Sequence, residues 1–118
     1  ENGQLVGEVT WVDHFGNCQL NIGPEDIAQW GTPVRVSIGN VDSPNHIVRS
    51  VAVVNNFSEI GGGLGLVIDS YGMLALCLDR GSAAAELDLG PTNMVAISQD
   101  PNAGGGVSTT VRLGSKPN

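Results

Sequence analysis

The sequence predicts an all-β domain with one or two short helices, a small β-barrel or sandwich of about seven strands. Three observations predict it. Apolar residues come in short runs that alternate with polar ones instead of recurring at helical spacing. Clusters of Gly, Pro and Asn separate those runs, and glycine alone supplies 17 of the 118 residues. A chain that is 41% hydrophobic and only 14% charged is compact and loop-rich, not disordered or coiled-coil. At this length it holds one core and not two.

Taken in order, residues 5–12 alternate apolar positions with Gly7, Glu8 and Thr10, as a half-buried strand does. A turn at Gly16-Asn17 leads into a second strand over 18–22. Pro24-Glu25-Asp26 opens a short helical turn through Trp30: proline suits the first helical position, and early acids suit the positive end of the dipole. Residues 33–38 form a strand, followed by a turn at Gly39-Asn40 and a loop over 42–45. The strand over 46–54 alternates Val48, Ser50, Ala52 and Val54 with Arg49 and Val51. Residues 55–63 read as a polar loop ending in glycine, and residues 64–69 and 73–78 as a hairpin around Ser70-Tyr71-Gly72. Ser82 caps a helix through Leu87, although the expected capping-box Glu comes one position late, at Glu86. Residues 93–98 make the last strand. No internal repeat is evident. Residues 1–98 are thus expected to be the barrel and residues 99–118 a glycine-rich linker and tail, with a polar strand-like stretch over 107–113.

The charge balance narrows the function. Net charge is −7, and the five basic residues, Arg35, Arg49, Arg80, Arg112 and Lys116, are scattered. With no basic stripe to neutralise phosphates, a nucleic-acid partner is not expected. An acidic surface mildly attracts cations. No apolar run spans a bilayer and no signal peptide is visible, so no membrane partner and a cytoplasmic location are expected. The chain starts at Glu1 without methionine, and an upstream part is expected to have been removed. Cys18 and Cys77 lie in strand-like runs, which suits two buried thiols or a disulfide. His14 and His46 are too far apart in sequence to suggest a metal site.

Chemistry-bearing residues concentrate in Asp13-His14-Phe15-Gly16-Asn17, with Asn21 beyond. An aromatic ring beside a carboxamide at a strand edge offers a planar heterocycle a face to stack on and a donor–acceptor pair for its edge. The plainer reading is a tight turn whose Asp and Asn bond their own backbone and whose Phe plugs the core. A second segment runs Asp69-Ser70-Tyr71-Gly72, then Met73-Leu74-Ala75-Leu76, then Asp79-Arg80-Gly81-Ser82-Ala83-Ala84, with Met94-Val95-Ala96-Ile97 later.

In that order the pieces resemble the C-terminal domain of the S-adenosyl-L-methionine (SAM) hydroxide adenosyltransferases, or SAM hydrolases, a family shared with the fluorinating and chlorinating enzymes. The resemblance covers residues 7–98. It implies that SAM is the substrate, that water-derived hydroxide displaces L-methionine from the ribose C5′ to leave adenosine, and that no metal or redox cofactor is needed. It also implies a homotrimer whose active site lies between this domain and the N-terminal domain of a neighbouring subunit. The groups that position water belong to that N-terminal domain, so no catalytic residue is expected here. As substrate-binding residues the resemblance marks Asp13 for the methionine ammonium, Phe15 beside the adenosine, Asn17 for the adenine edge, and Ser70 for the amino-acid end. It also marks the backbone around Arg80, Gly81 and Ser82 for the adenine. The plainer alternatives are a turn-capping Asp, a core Phe, a left-handed turn Asn and an ordinary hairpin Ser.

The departures argue against halogenation. Halogenating members have Arg where this chain has Tyr71, a proline between the residues matching His14 and Phe15, and another Arg near Leu78. Tyr71 and Arg80 are left as candidates for the methionine carboxylate, and Gln19 replaces a Trp of the fluorinating branch. A stand-alone β-barrel interaction module without catalysis is the alternative.

Overall fold

The computed structural model describes residues 3–39, 42–44 and 46–101. The stretch over 107–113, the tail beyond 101, Asn40 of the expected turn and Asn45 of the expected loop lie outside the described residues.

Seven strands form: β1 (Gln4–Val12), β2 (Cys18–Leu20), β3 (Val34–Ile38), β4 (Ile47–Val54), β5 (Leu64–Ile68), β6 (Leu74–Leu78) and β7 (Met94–Gln99). They close into a barrel in the order β1-β2-β6-β5-β4-β3-β7, with β7 pairing back onto β1. Closure leaves no sheet edge to aggregate. All neighbours are antiparallel except β4 and β5, whose parallel register sets Ala52 against Gly65 and Val54 against Val67. The loop over 55–63 must therefore double back outside the barrel before β5 begins.

Alternation fills the interior. Val34, Val36 and Ile38 from β3, Val95 and Ile97 from β7, and Leu74 and Leu76 from β6 point inward and are buried. Each such side chain contributes about 1.5–3 kcal/mol by leaving water. The faces of β4 also separate: Val51 is buried in the core, with Ile47 and Val53 packed against it, while Val48 is exposed on the outer face.

Helix α1 (Ala83–Leu87) starts where Ser82 Oγ accepts the Ala85 N–H at 3.0 Å, and it buries Ala83 and Leu87. The helical segment at 24–30 is two successive 3-10 turns, Pro24–Asp26 and Ala28–Trp30, with Ile27 between them buried in the core. The second strand stops at Leu20: the Asn21 N–H still donates to Glu8 O at 3.1 Å, but the Glu8 N–H goes to the Asn21 side-chain Oδ1 at 2.8 Å.

Outside the barrel a smaller apolar cluster joins Ile60, Val67, Ala75 and Cys77. Gly65 makes room for it, since a Cβ there would stand 2.8 Å from Ile60 Cγ1. This contact holds the 55–63 loop, and with it Phe57, against β5 and β6.

Candidate functional site

The site begins with a phase change in β1. Val9 pairs with Leu20, but Trp11 pairs with Gln19 and Val12 with Cys18, so a bulge at Thr10 shifts the alternation. Val9 and Val12 face the core, whereas Trp11 is turned outward and is 52% exposed.

The turn after β1 is built around Asp13. Its Oδ1 accepts the N–H groups of Phe15 (2.8 Å) and Asn17 (3.0 Å), and its Oδ2 accepts from Asn17 Nδ2 at 3.0 Å. The Asp13 N–H donates to Asn17 O and the Gly16 N–H to Asp13 O, both at 3.0 Å. Gly16 takes the positive φ of 87°, and a Cβ there would collide with Ser82. Burial pushes the Asp13 carboxyl up, but the hydrogen bonds from Asn17, Phe15 and Gly16 outweigh it, and the pKa lies below its ordinary value. Asp13 is therefore the turn-capping carboxylate that the plainer reading expected, and it is also an anion on the cleft wall. Asn17 is outside the left-handed region, which Gly16 occupies instead. Phe15 is 73% exposed and touches the His14 ring edge-on at 5.4 Å, so it is not a core plug.

The turn after β5 repeats this construction. Asp69 Oδ1 accepts the N–H groups of Tyr71 (2.9 Å) and Met73 (3.0 Å), and its Oδ2 accepts from Gln19 Nε2 at 2.8 Å. The Asp69 N–H donates to Met73 O at 2.8 Å and the Gly72 N–H to Asp69 O at 3.0 Å. Gly72 has a φ of 80°, and Tyr71, in the place of Phe15, is 74% exposed. The chain thus contains a five-residue recurrence, Asp-x-aromatic-Gly-x, at 13–17 and 69–73. It is too short to register as a repeat by sequence period, and only the matching hydrogen bonds reveal it.

Because β2 and β6 run antiparallel, with Cys18 opposite Leu76 and Gln19 opposite Ala75, the two turns stand at opposite ends of the strip. Between them on the outer face lies a cleft of about 350 Å³ lined by Trp11, Asp13, Asn17, Gln19, Ser70 and Tyr71, among others. It adjoins a hollow of about 620 Å³ lined by Phe15, Asn17, Phe57, Arg80 and Gly81. Asn17 and Phe57 line both. Phe57 is 44% exposed, so four of the chain's five aromatics stand exposed on this one face. The fifth, Trp30, packs against the core.

Seven of the eight residues marked from sequence, Asp13, Phe15, Asn17, Ser70, Tyr71, Arg80 and Gly81, therefore line this pair of hollows. Ser82 does not, since its hydroxyl caps α1 and its body packs on Gly16. Arg80 sits at a left-handed φ of 63° beside Gly81. Sequence reasoning missed Trp11, Phe57 and Asp69. The part Asp69 plays shows only in its hydrogen bonds, while Trp11 was hidden by the bulge and Phe57 by the loop's nonlocal packing. A further hollow of about 570 Å³, lined by residues including Gln4, Val6, Ser37, Asp88 and Met94, opens on β1, β7 and β3 and holds none of the residues marked as substrate-binding.

Cys18 faces the core and Cys77 the outer cluster, and both are free thiols. Adjacent ladder positions on opposite faces cannot bridge. Burial, with a smaller effect of Asp13, raises Cys18 to about 11, and burial likewise raises Cys77 to about 12. Among the described residues no group of His, Cys, Asp and Glu could hold a metal ion, and no helix is long and apolar enough to cross a membrane.

Comparison with known proteins fits this geometry. Residues 7–96 match the family model of the SAM hydroxide adenosyltransferase C-terminal domain. Among solved structures, an uncharacterized conserved protein from Thermotoga maritima is 28% identical, with a TM-score of 0.71 over 83% of this chain and 37% of that one. A conserved hypothetical protein from Thermus thermophilus is 26% identical, with a TM-score of 0.53 over 78% of this chain and 34% of that one. The chain thus spans little more than a third of the length of these structures. The search of curated proteins gives no match. With its family model covering the barrel from β1 to β7, the chain belongs to the SAM hydroxide adenosyltransferase C-terminal domain family.

Proposed function

We propose that this domain is the substrate-binding part of an enzyme that hydrolyses SAM to adenosine and L-methionine. The observation that carries the reading is the gathering of four exposed aromatics around Asn17, Asp13 and Ser70 on one face of the barrel. A water-exposed ring is unfavourable unless something covers it, and a nucleoside base offers the flat apolar face that would.

In this reading the adenine lies in the hollow between Phe15, Phe57 and Arg80. Asn17 meets its edge, because Asp13 takes only one of the two Nδ2 hydrogens and the residue lines the hollow's wall. The Asp13 carboxylate, held anionic by its turn, faces the positive sulfonium and ammonium groups. Ser70 and Tyr71 bound the amino-acid end. Hydroxide derived from water attacks C5′ as the C5′–S bond breaks, and sulfur leaves with the bonding pair as the thioether of methionine. Alignment in a dry site supplies most of the acceleration, so the displacement needs no cofactor. The water-positioning groups come from the N-terminal domain of a neighbouring subunit in a homotrimer.

Liquid chromatography of SAM incubated with the longer protein tests the reading. Adenosine and methionine should appear, with no 5′-chloro product when chloride is added. No adenosine, or equal turnover with chloride, would reject the hydrolase assignment. An upstream coding segment in the source gene is expected, and a gene starting at Glu1 would favour the stand-alone module.

A further inference from the structure

Thr10, Gln19 and Asp69 form a hydrogen-bonded line across the outer face of β1, β2 and the β5–β6 turn. Thr10 Oγ donates to Gln19 Oε1 at 3.0 Å, and Gln19 Nε2 donates to Asp69 Oδ2 at 2.8 Å. The line has a direction, because the Asp69 carboxylate can only accept and so holds the amide nitrogen towards itself, which leaves the amide oxygen facing the Thr10 hydroxyl, itself also 3.2 Å from Gln19 O. It also ties the second turn to β2, two residues beyond Asn17 of the first, where the backbone ladder is thin. β2 has three residues, and its pairing with β6 comprises Cys18–Leu76 and Gln19–Ala75.

We propose that Gln19 and Asp69 are positioning residues, a strut that holds the Ser70-Tyr71 turn at a set distance from the Asn17 turn. It thereby gives the site its affinity for the part of the substrate that extends past the nucleoside. The proposal rests on the SAM reading above. Asp69 Oδ1 already orients Tyr71 and Met73 through their N–H groups, so anchoring Oδ2 fixes the carboxylate plane and with it the turn that carries Ser70 and Tyr71. The first turn needs no such brace. The third donor to Asp13 is Asn17 Nδ2, from within its own five residues. The second turn draws its third donor from a residue 50 positions away, across the cleft. Adenosine alone would touch only the self-contained turn, whereas SAM would span both.

The polarity of the line supplies the test. Gln19→Glu places two carboxylates face to face with no hydrogen between them. Adding Asp69→Asn restores a donor, now pointing the other way, while the new carboxamide oxygen still accepts from Tyr71 and Met73. The isotope-labelled chain is titrated with adenosine and with SAM, and the amide shifts of both turns are followed by NMR. The wild type should bind SAM more tightly than adenosine. Gln19→Glu should weaken SAM by about tenfold, an ordinary size for coupled polar neighbours, and leave adenosine unchanged. The double variant should recover SAM binding. Four results would overturn the strut: no SAM advantage in the wild type, an unchanged SAM affinity in Gln19→Glu, equal loss of both ligands, or failure of the double variant to recover. If Gln19→Glu does not fold, the double variant decides alone, by binding SAM as the wild type does or not. A wild type that binds neither ligand rejects the nucleoside reading itself, and the strut with it.

Discussion

The carboxamide of Asn17 has two hydrogens and an oxygen with two lone pairs, and the turn takes one of the hydrogens through Asp13. Substitution should therefore act on ligand and fold together. Asn17→Ala is expected to lose about 1–3 kcal/mol of substrate binding, the usual cost of leaving polar partners unmet, as read by calorimetry on the longer protein. Asn17→Gly should lose as much binding and about 0.5–1 kcal/mol more stability, because the position is not left-handed and glycine adds only unfolded-state freedom. Full activity in Asn17→Gly would remove this residue from the site. The same pair of groups gives a pH signature. The native pKa of Asp13 is lowered, so its stabilisation is present above the ordinary value of 3.8 and is lost as pH falls through the lowered native value. Removing the Asn17 donor raises that native value. The stability gap between wild type and Asn17→Ala should be widest near neutrality and shrink below about pH 4, as urea titrations at several pH values would record. A gap independent of pH would mean that Asn17 does not stabilise the charged form.

A loop meets a strand closely at Gly65. Its missing side chain lets Ile60 lie on the sheet, and Ile60 anchors the loop carrying Phe57. Gly65→Ala should cost about 1–3 kcal/mol, as overpacking does, and should weaken adenosine binding because Phe57 shifts with its loop. Unchanged stability together with unchanged binding would mean that this contact does not place the loop. The thiols report on the same strip. Both are raised above the ordinary 9.0, so the protonated forms stabilise the fold fully below that pH, and this stabilisation is lost as pH rises towards about 11 and 12. Neither thiol should react with a thiol reagent at pH 8 until the barrel unfolds, and stability should decline on the alkaline side of 9. Rapid labelling of the native chain would contradict the burial of both.

For the whole molecule, one face of the barrel carries nearly all the aromatic surface, and the hollows there are open. On the proposed reading this face is half a site, with the contacts to the ribose and C5′ end supplied by the neighbouring subunit. Calorimetry on the chain should find no tight SAM binding. Nanomolar affinity would show a complete site on this barrel and end the two-subunit picture. Much of the organisation was legible from residue patterns, because alternation and turn chemistry are local. All seven strands, the Ser82 cap and the α1 end at Leu87 lie where the pattern places them, give or take a few residues. So do the motif turns, for Asp and Gly at those spacings dictate their own hydrogen bonds.

What the sequence determined by itself was the set of strands, the two turns and the candidates within them, since each depends on neighbours a few residues apart. What only the tertiary structure decided was which strands adjoin, and therefore that the two turns share one cleft. Local alternation would carry Trp11 inward with Val9, and only pairing with Gln19 across the Thr10 bulge turns it out. Phe57 reaches the cleft through Ile60 and Gly65, and Asp69 reaches Gln19 across 50 residues. Contacts between distant segments leave no period in a single chain. They become visible once the barrel closes and packing chooses among partners that local chemistry leaves equivalent.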